Sequence, residues 1–242
     1  MLLKITTKCH MGCSHCMEDA LPDGEDMSIQ TFLKAKDFIE KVYLSLKVVM
    51  ISGGEPTEHP MLMDFIQLLN GYYIIVMSNG LVFSENPELA RRLLDSDITL
   101  QIYNDSRYYP KKVTPFDHPK IVFGGKINLM SPFGRAVKNG LQSTRQSPLC
   151  FNLRSSARTL KNFSEAVLSL RMSGKMCSPS IDIHGNVLAG ESRFCHKIGT
   201  VESSEEELLE NLLSMECNKC GLEDNLQPML KNIIHGSVLC KS

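Results

Sequence analysis

The sequence predicts an α/β protein: a parallel sheet built from βαβ units, followed by a smaller unit marked by cysteines. Three observations predict it. β-rich runs alternate with helix-length amphipathic stretches over the first hundred residues. The runs end in glycine-bearing turns such as Ser52-Gly53-Gly54 and Ser78-Asn79-Gly80. The nine cysteines fall into an early group (Cys9, Cys13, Cys16) and a late one beginning at Cys150. The chain accordingly divides into residues 1–140 and 141–242.

The elements follow in order. Leu2–Thr6 is a short apolar strand leading into the first cysteines. Ser28 can cap a helix in which Phe32, Ala35, Ile39, Val42, Tyr43 and Leu46 recur at helical spacing. Lys47–Ile51 is a buried-strand run. His59–Leu69 places Leu62, Phe65, Ile66 and Leu69 on one helical face, and Gly71 ends it. Tyr72–Met77 is the third strand, Pro87 suits the first turn of a helix through Leu94, and Ile98–Tyr103 is the fourth strand. Such alternation implies right-handed parallel crossovers. Beyond Tyr103 the pattern degrades, since Pro110, Pro115 and Pro119 spoil a helix. Ile121–Phe123 and Ile127–Met130 both read as strands, yet the residues between them are too few for a parallel crossover.

Composition narrows the class. With 242 residues and 43% hydrophobic content the chain can build a core, which excludes a disordered protein. A formal net charge of −1 argues against a nucleic-acid footprint. No long apolar run and no signal-peptide pattern are present, so a cytoplasmic protein with no membrane partner is expected. In a reducing compartment, clustered cysteines are metal ligands more often than disulfides.

In parallel sheets ligands gather at the carboxyl ends of the strands. That rule puts Cys9–Cys16, Ser52–Pro56 and Ser78–Gly80 on one rim. The first loop reads C-x3-C-x2-C. Three thiolates are one short of a closed tetrahedral set. On a four-iron cluster they leave one iron open, and on zinc they leave a catalytic position.

C-x3-C-x2-C after a first strand, with Gly53-Gly54-Glu55-Pro56 after the second, resembles the radical S-adenosylmethionine (radical SAM) superfamily. His15 stands where that family usually carries an aromatic ring, and the family's later-strand glycine motif is not evident. The resemblance implies a partial (β/α)6-type barrel, trimmed after the fourth strand. It implies that Cys9, Cys13 and Cys16 hold a [4Fe–4S] cluster whose fourth iron chelates S-adenosylmethionine. Gly53 and Gly54 would let the backbone approach that cofactor, and Glu55 would accept from its ammonium. Ser78 and Asn79 would bond its carboxylate or ribose. Ser131-Pro132-Phe133-Gly134-Arg135-Ala136 resembles a late-barrel segment of some relatives, with Arg135 reaching the cofactor carboxylate or the substrate. The implied chemistry is reductive cleavage to methionine and a 5′-deoxyadenosyl radical, which abstracts a substrate hydrogen. A reductant such as flavodoxin or ferredoxin is implied.

The late cysteines have a pattern of their own. Ser180–Ile183 and Val187–Leu188 read as a β-hairpin about His184-Gly185-Asn186. Ile198–Val201 then precedes an amphipathic helix, Glu205–Leu213, that delivers Cys217 and Cys220 as a C-x2-C knuckle. Hairpin, helix and knuckle resemble the auxiliary-cluster extension called twitch or SPASM, a small hairpin-plus-helix Fe–S domain. That implies a second [4Fe–4S] cluster on Cys177, Cys195, Cys217 and Cys220, with zinc at the same thiolates as an alternative. Cys150 and Cys240 read as small buried hydrophobes, and His196 as a possible partner of a cluster sulfide.

Family members with such an extension often modify peptides or proteins, so oxidation or modification of a peptide side chain is expected. A small-molecule dehydrogenase is the alternative, and a non-catalytic zinc-binding protein the reading from another class. Tyr103, Tyr108 and Tyr109 with Arg107, Lys111 and Lys112 form an aromatic–basic stretch near the rim. It reads as a solvated loop, or as a binder of an acidic substrate.

Overall fold

The computed structural model describes residues 1–42, 47–114, 117–127, 130, 133–141, 162–172 and 179–215. One eight-stranded sheet organises them, in the order β5-β4-β3-β2-β1-β6-β7-β8. β1 (Leu2–Thr6), β2 (Val48–Gly53), β3 (Tyr73–Ser78), β4 (Ile98–Ile102) and β5 (Ile121–Phe123) are parallel neighbours. β6 (Ser180–Ile181) adds to the other side of β1, also in parallel. β7 (Asn186–Leu188) and β8 (Lys197–Thr200) continue antiparallel. The sheet is open rather than closed into a barrel, as expected of a partial barrel.

The period-2 alternation of the strands makes two unlike faces. Leu3, Ile5, Val49, Ile51, Ile74, Val76, Ile98, Leu100 and Ile102 are buried in the main core. Phe32 and Phe38 of α1 (Ile29–Val42), Phe65 of α2 (Leu62–Leu68) and Leu93 of the Pro87–Asp95 helix pack there too. The Phe32 and Phe65 rings stack at 3.9 Å between centroids. The other face carries Lys4, Ser52, Met77 and Gln101, and lies half open from β2 to β4.

Local chemistry sets the element boundaries. Ser28 Oγ accepts from Thr31 N–H at 3.1 Å, the expected cap of α1. Asn86 caps the Pro87–Asp95 helix through Leu89 N–H at 3.1 Å. The helix expected from His59 begins three residues later, at Leu62. Its approach is a 3₁₀ turn, Pro56–Glu58, and the buried His59 ring accepts Met61 N–H at Nδ1 (3.0 Å). A further short helix, Val82–Glu85, follows β3 directly.

The conflict beyond Tyr103 resolves in favour of Ile121–Phe123. That segment pairs with β4, whereas Ile127 and Met130 carry no strand assignment and Asn128 and Leu129 lie outside the described residues. The hairpin is present, with Asp182 accepting His184 N–H and Asn186 N–H, each at 2.9 Å. Ile198–Val201 supplies a third strand, β8, which its glycine concealed in the sequence. The closing helix, Glu205–Ser214, is capped by Ser204 and carries three glutamates in its first turn. Among the described residues no helix is long and apolar enough to cross a membrane.

His59 gives a pH signature. Nε2 lies 3.1 Å from Met27 O, which fixes the tautomer with the proton on Nε2 and leaves Nδ1 to accept from Met61. Burial pushes its pKa below the ordinary imidazole value. The neutral form is therefore favoured in the fold, and the unfolded chain takes up the proton first on acidification. Thermal stability should fall as pH drops below about 6.5, and His59→Leu, less stable overall, should flatten that slope in a melting series from pH 7.5 to 5.

Candidate functional site

One cavity of about 400 Å³ opens at the carboxyl ends of β1–β4. Cys9, Cys13, Cys16, His15, Gly53, Gly54, Ser78, Asn79 and Arg135 all line it. Nine of the ten first-unit site residues expected from sequence thus converge there, and Glu55 does not.

The cysteine loop is held from several sides. At its stem, Asp26 accepts from Thr6 Oγ1 (2.7 Å) and Lys8 Nζ (2.5 Å). Glu58 accepts from His10 N–H at 2.9 Å and lies 2.6 Å from His10 Nδ1. Ser14 N–H donates to Tyr108 O at 3.1 Å. Arg135 Nε donates to Cys13 O and Nη1 to Ala20 O, both at 2.8 Å, while its backbone N–H reaches Cys16 O at 2.9 Å. Arg135 therefore braces the loop first. Its Nη2 is buried with no hydrogen-bond partner, leaving that nitrogen's two N–H groups for an anion in the cavity.

Cys9 and Cys13 are each 7% exposed and Cys16 is half-buried. Burial pushes the Cys9 thiol up to about 11, helped by the nearby carboxylates of Glu55 and Glu58. Burial pushes Cys13 further up, with Cys9 and Cys16 adding to it. Three desolvated sulfurs together disfavour thiolates unless cationic charge joins them, and a metal centre supplies that charge. Among the described residues no three His, Cys, Asp or Glu donors converge tightly enough to hold one ion. Asn79 Nδ2 lies 3.7 Å from Cys9 Sγ, a donor to the sulfur.

The Gly53-Gly54 pair has a reason the sequence did not show. A Cβ at Gly53 would collide with Thr6 O and one at Gly54 with Lys8 O. Gly53 also sits at φ +139°, a conformation that favours glycine. The glycines let the end of β2 press against the cysteine-loop stem, where Gly54 N–H donates to Thr6 O and Glu55 N–H to Lys8 O, both at 2.7 Å. Both residues still line the cavity.

Glu55 corrects an expectation. It is 1% exposed, and its carboxylate accepts Thr57 N–H (3.2 Å), Thr57 Oγ1–H (2.7 Å), Ser78 Oγ–H (2.8 Å) and Asn79 N–H (2.7 Å). Burial pushes its pKa up, and those donors, led by Asn79 N–H, pull the other way. The group fastens β2 to β3 instead of facing a ligand. Ser78 likewise spends its hydroxyl proton on Glu55 and accepts Gly80 N–H at 3.0 Å.

His15 lies between the rings of Tyr108 (5.2 Å) and Tyr109 (5.0 Å), with burial lowering its pKa and Nδ1 without a hydrogen-bond partner. The aromatic–basic stretch is not a free cationic patch. Arg107 pairs with Asp105 at 2.5 Å and Lys111 with Glu85 at 3.3 Å.

Sequence reasoning missed Lys4 and Glu18, which form an ion pair of 3.0 Å on the cavity wall. The signal was present: a lysine inside an apolar strand, out of phase with Leu3 and Ile5. Glu191, also missed, lines the cavity from the loop between β7 and β8.

Of the auxiliary cysteines, only Cys195 can be placed. It is half-buried on that same loop, its N–H donating to Ser192 O at 3.0 Å. Cys177, Cys217 and Cys220 lie outside the described residues, as do Cys150, Cys240, Ser131 and Pro132.

A cavity at the carboxyl ends of parallel strands, lined by three cysteines, a glycine pair and a Ser-Asn turn, is the candidate cofactor site. Residues 3–115 match the family model described as Radical SAM superfamily. That family uses a [4Fe–4S] cluster and S-adenosylmethionine for radical chemistry, which is what the match implies for this segment. No curated protein matches the sequence. Similar solved structures include BtrN in complex with AdoMet and 2-DOIA, at 12% identity and TM-score 0.49, covering 89% of this chain and 81% of that one. Native anSMEcpe with bound AdoMet is similar at 13% identity and TM-score 0.44, covering 91% and 82%. The same protein with AdoMet and the Cp18Cys peptide aligns at 13% and TM-score 0.42, covering 91% and 81%.

The glycine pair yields a direct test. Gly54→Ala should force the β2 end away from Lys8, an overpacking cost of about 1–3 kcal/mol. The variant should melt lower and carry less iron after anaerobic reconstitution. Unchanged melting and iron content would refute the close-approach argument.

Proposed function

We propose that Cys9, Cys13 and Cys16 hold the cluster, that S-adenosylmethionine lies in the adjoining cavity, and that the enzyme abstracts hydrogen from a peptide or protein side chain to modify or oxidise it. The observation that carries the first part is the convergence of three cysteines, two buried and one half-buried, with the glycine pair and the Ser78-Asn79 turn on one cavity. When bound and reduced by an external donor, the cluster would supply one electron to S-adenosylmethionine, whose sulfonium C–S bond breaks to give methionine and a 5′-deoxyadenosyl radical.

The chain's own residues bind, orient and shield. The backbone of Gly53 and Gly54 accepts from the cofactor ammonium. The unpartnered Nη2 of Arg135 donates to its carboxylate, a charge-assisted bond. Asn79, held by Glu55 through its N–H, steadies Cys9 and the ribose side. His15, Tyr108 and Tyr109 form an aromatic wall that offers stacking surface and keeps water out. The open sheet supports a polymeric substrate, because a side chain can enter from the rim without the polymer being engulfed.

Cys177, Cys195, Cys217 and Cys220 are proposed to hold an auxiliary [4Fe–4S] cluster. The buried, unpartnered Nε2 of His196, next to Cys195, is a donor available to it. A flavodoxin or ferredoxin is the proposed reductant, and the cytoplasm the compartment.

Two measurements check this reading. Anaerobically reconstituted protein should contain about eight iron and eight sulfide per chain, whereas about four of each would overturn the auxiliary cluster. Wild-type protein with dithionite and S-adenosylmethionine should form 5′-deoxyadenosine, and Cys13→Ala should form none. Activity retained by that variant would remove the thiol assignment.

A further inference from the structure

Tyr109 packs against the cysteine loop, on a small cluster formed by Cys9, Met11, Cys13, Ala20 and Leu81. It also lines the cavity. Its ring lies 5.0 Å from that of His15, and its N–H donates to Asp105 O at 3.0 Å. Among the described residues its hydroxyl makes no hydrogen bond. The buried side-chain atoms without a partner are on His15, Arg135 and His196, so the Tyr109 oxygen is instead open to the cavity.

Bond strengths single this group out. A phenol is protonated at neutral pH, and its O–H bond yields a hydrogen atom more easily than the other bonds on the wall. The C–H bonds of Leu2, Met17 and Met77 are stronger, and so are the N–H bonds of Lys4 and Arg135. The cysteine sulfurs carry no hydrogen once they ligate a metal. An O–H without an acceptor also gives up its hydrogen atom more readily than a bonded one, since no second bond must break. Tyr103 lines the cavity too, but its ring lies against Gly124, where a Cβ would strike it, and not on the cysteine cluster.

We propose that Tyr109 is an internal hydrogen donor that ends a turnover begun without substrate. The inference rests on the radical reading of the same cavity. At about 400 Å³ the cavity is at the small end of ligand sites, so a cofactor within it touches the walls. The 5′ carbon of the 5′-deoxyadenosyl radical takes the phenolic hydrogen atom. The O–H bond of Tyr109 breaks, a C–H bond forms, and the products are 5′-deoxyadenosine and a neutral tyrosyl radical. One electron from the external reductant and one proton from water restore the phenol. A substrate side chain entering from the rim takes over as donor. Tyr109 thus spares the cysteine loop from radical damage while the site holds no substrate.

The test uses solvent exchange. In D₂O the phenolic hydrogen is replaced by deuterium, and carbon-bound hydrogens are not. Reconstituted wild-type protein in thiol-free buffer, given dithionite and S-adenosylmethionine but no peptide, should form 5′-deoxyadenosine carrying one deuterium at the 5′ carbon. Tyr109→Phe should lose most of that label, and Tyr103→Phe should retain it. Unlabelled wild-type product, label undiminished in Tyr109→Phe, or a loss that follows Tyr103→Phe instead would each overturn the proposal.

Two further readouts do not depend on product. Wild-type samples frozen after a single equivalent of reductant should show an organic radical by electron paramagnetic resonance, with hyperfine structure that narrows when tyrosine rings are deuterated. Absence of that signal, or its persistence in Tyr109→Phe, rejects the donor. Metal-free Tyr109→Phe should melt no lower than wild type, because the hydroxyl makes no bond; a lower melting temperature reveals a bonded hydroxyl and removes the argument. Wild-type protein that forms no 5′-deoxyadenosine at all sinks the radical reading itself, a result distinct from unlabelled product.

Discussion

The buried carboxylate of Glu55 is the constraint on which the site depends. It takes hydrogen bonds from Ser78 and Asn79 at the end of β3 and from Thr57 in the following turn. Its own N–H ties to Lys8 at the cysteine-loop stem. Three separate chain segments meet at this residue: Thr57 and the Ser78-Asn79 pair as donors to its carboxylate, and Lys8 as the carbonyl acceptor of its N–H. Hydrogen bonds to a charged group contribute about 1.5–3 kcal/mol each, and an unmet buried carboxylate would cost far more. The geometry of the rim therefore follows from satisfying one acid. Asn79, its N–H spent on Glu55, gives Leu81 N–H an acceptor at Oδ1 and brings Nδ2 to Cys9.

Much of this was legible in the sequence, and the exceptions have physical reasons. The βαβ alternation was readable because one strand face is covered by helices and the periodicities stay unmixed. The cysteine loop, glycine pair and Ser78-Asn79 turn were readable because each ends a strand. Lys4 was hidden by length: in five residues, one lysine does not break an apolar pattern. The role of Glu55 was misread because the sequence cannot say which of two nearby donors, a ligand ammonium or a strand-end amide, lies closer. Ile127 has no strand assignment, since Asp105 Oδ2 captures its N–H at 3.0 Å, and Asn128 and Leu129 lie outside the described residues. The late cysteines could be grouped by spacing, but of the four only Cys195 falls among residues whose placement is described.

β1 explains why the two halves of the chain share a site. It pairs with β2 on one side and β6 on the other, so its register is set by both. The cysteine loop leaves directly from its carboxyl end. The hairpin unit then returns to the loop's far side, where Ser192 Oγ donates to Met17 O at 3.2 Å and Arg193 reaches Glu18. Phe194 stacks on Phe133 just before the Gly134–Lys138 helix that carries Arg135. The loop is thus clamped between elements far apart in sequence.

That clamping bears on how the site tolerates its cofactor. Small metal-dependent folds are often unfolded until the metal arrives, because nothing else organises the ligands. Here the cations around the loop already have partners: Lys8 with Asp26, Lys4 with Glu18, and Lys138 with Asp19 at 2.6 Å. The backbone carbonyls of Cys13 and Cys16 are held by Arg135 regardless of what the thiols do. Among the described residues, the buried side-chain atoms left without a hydrogen-bond partner are Nη2 of Arg135 and Nδ1 of His15, on two residues that line the cavity, and Nε2 of His196 beside Cys195. The first two direct electrostatic demand onto whatever enters that cavity. This is the arrangement needed where a reactive species must be held away from all but one substrate bond.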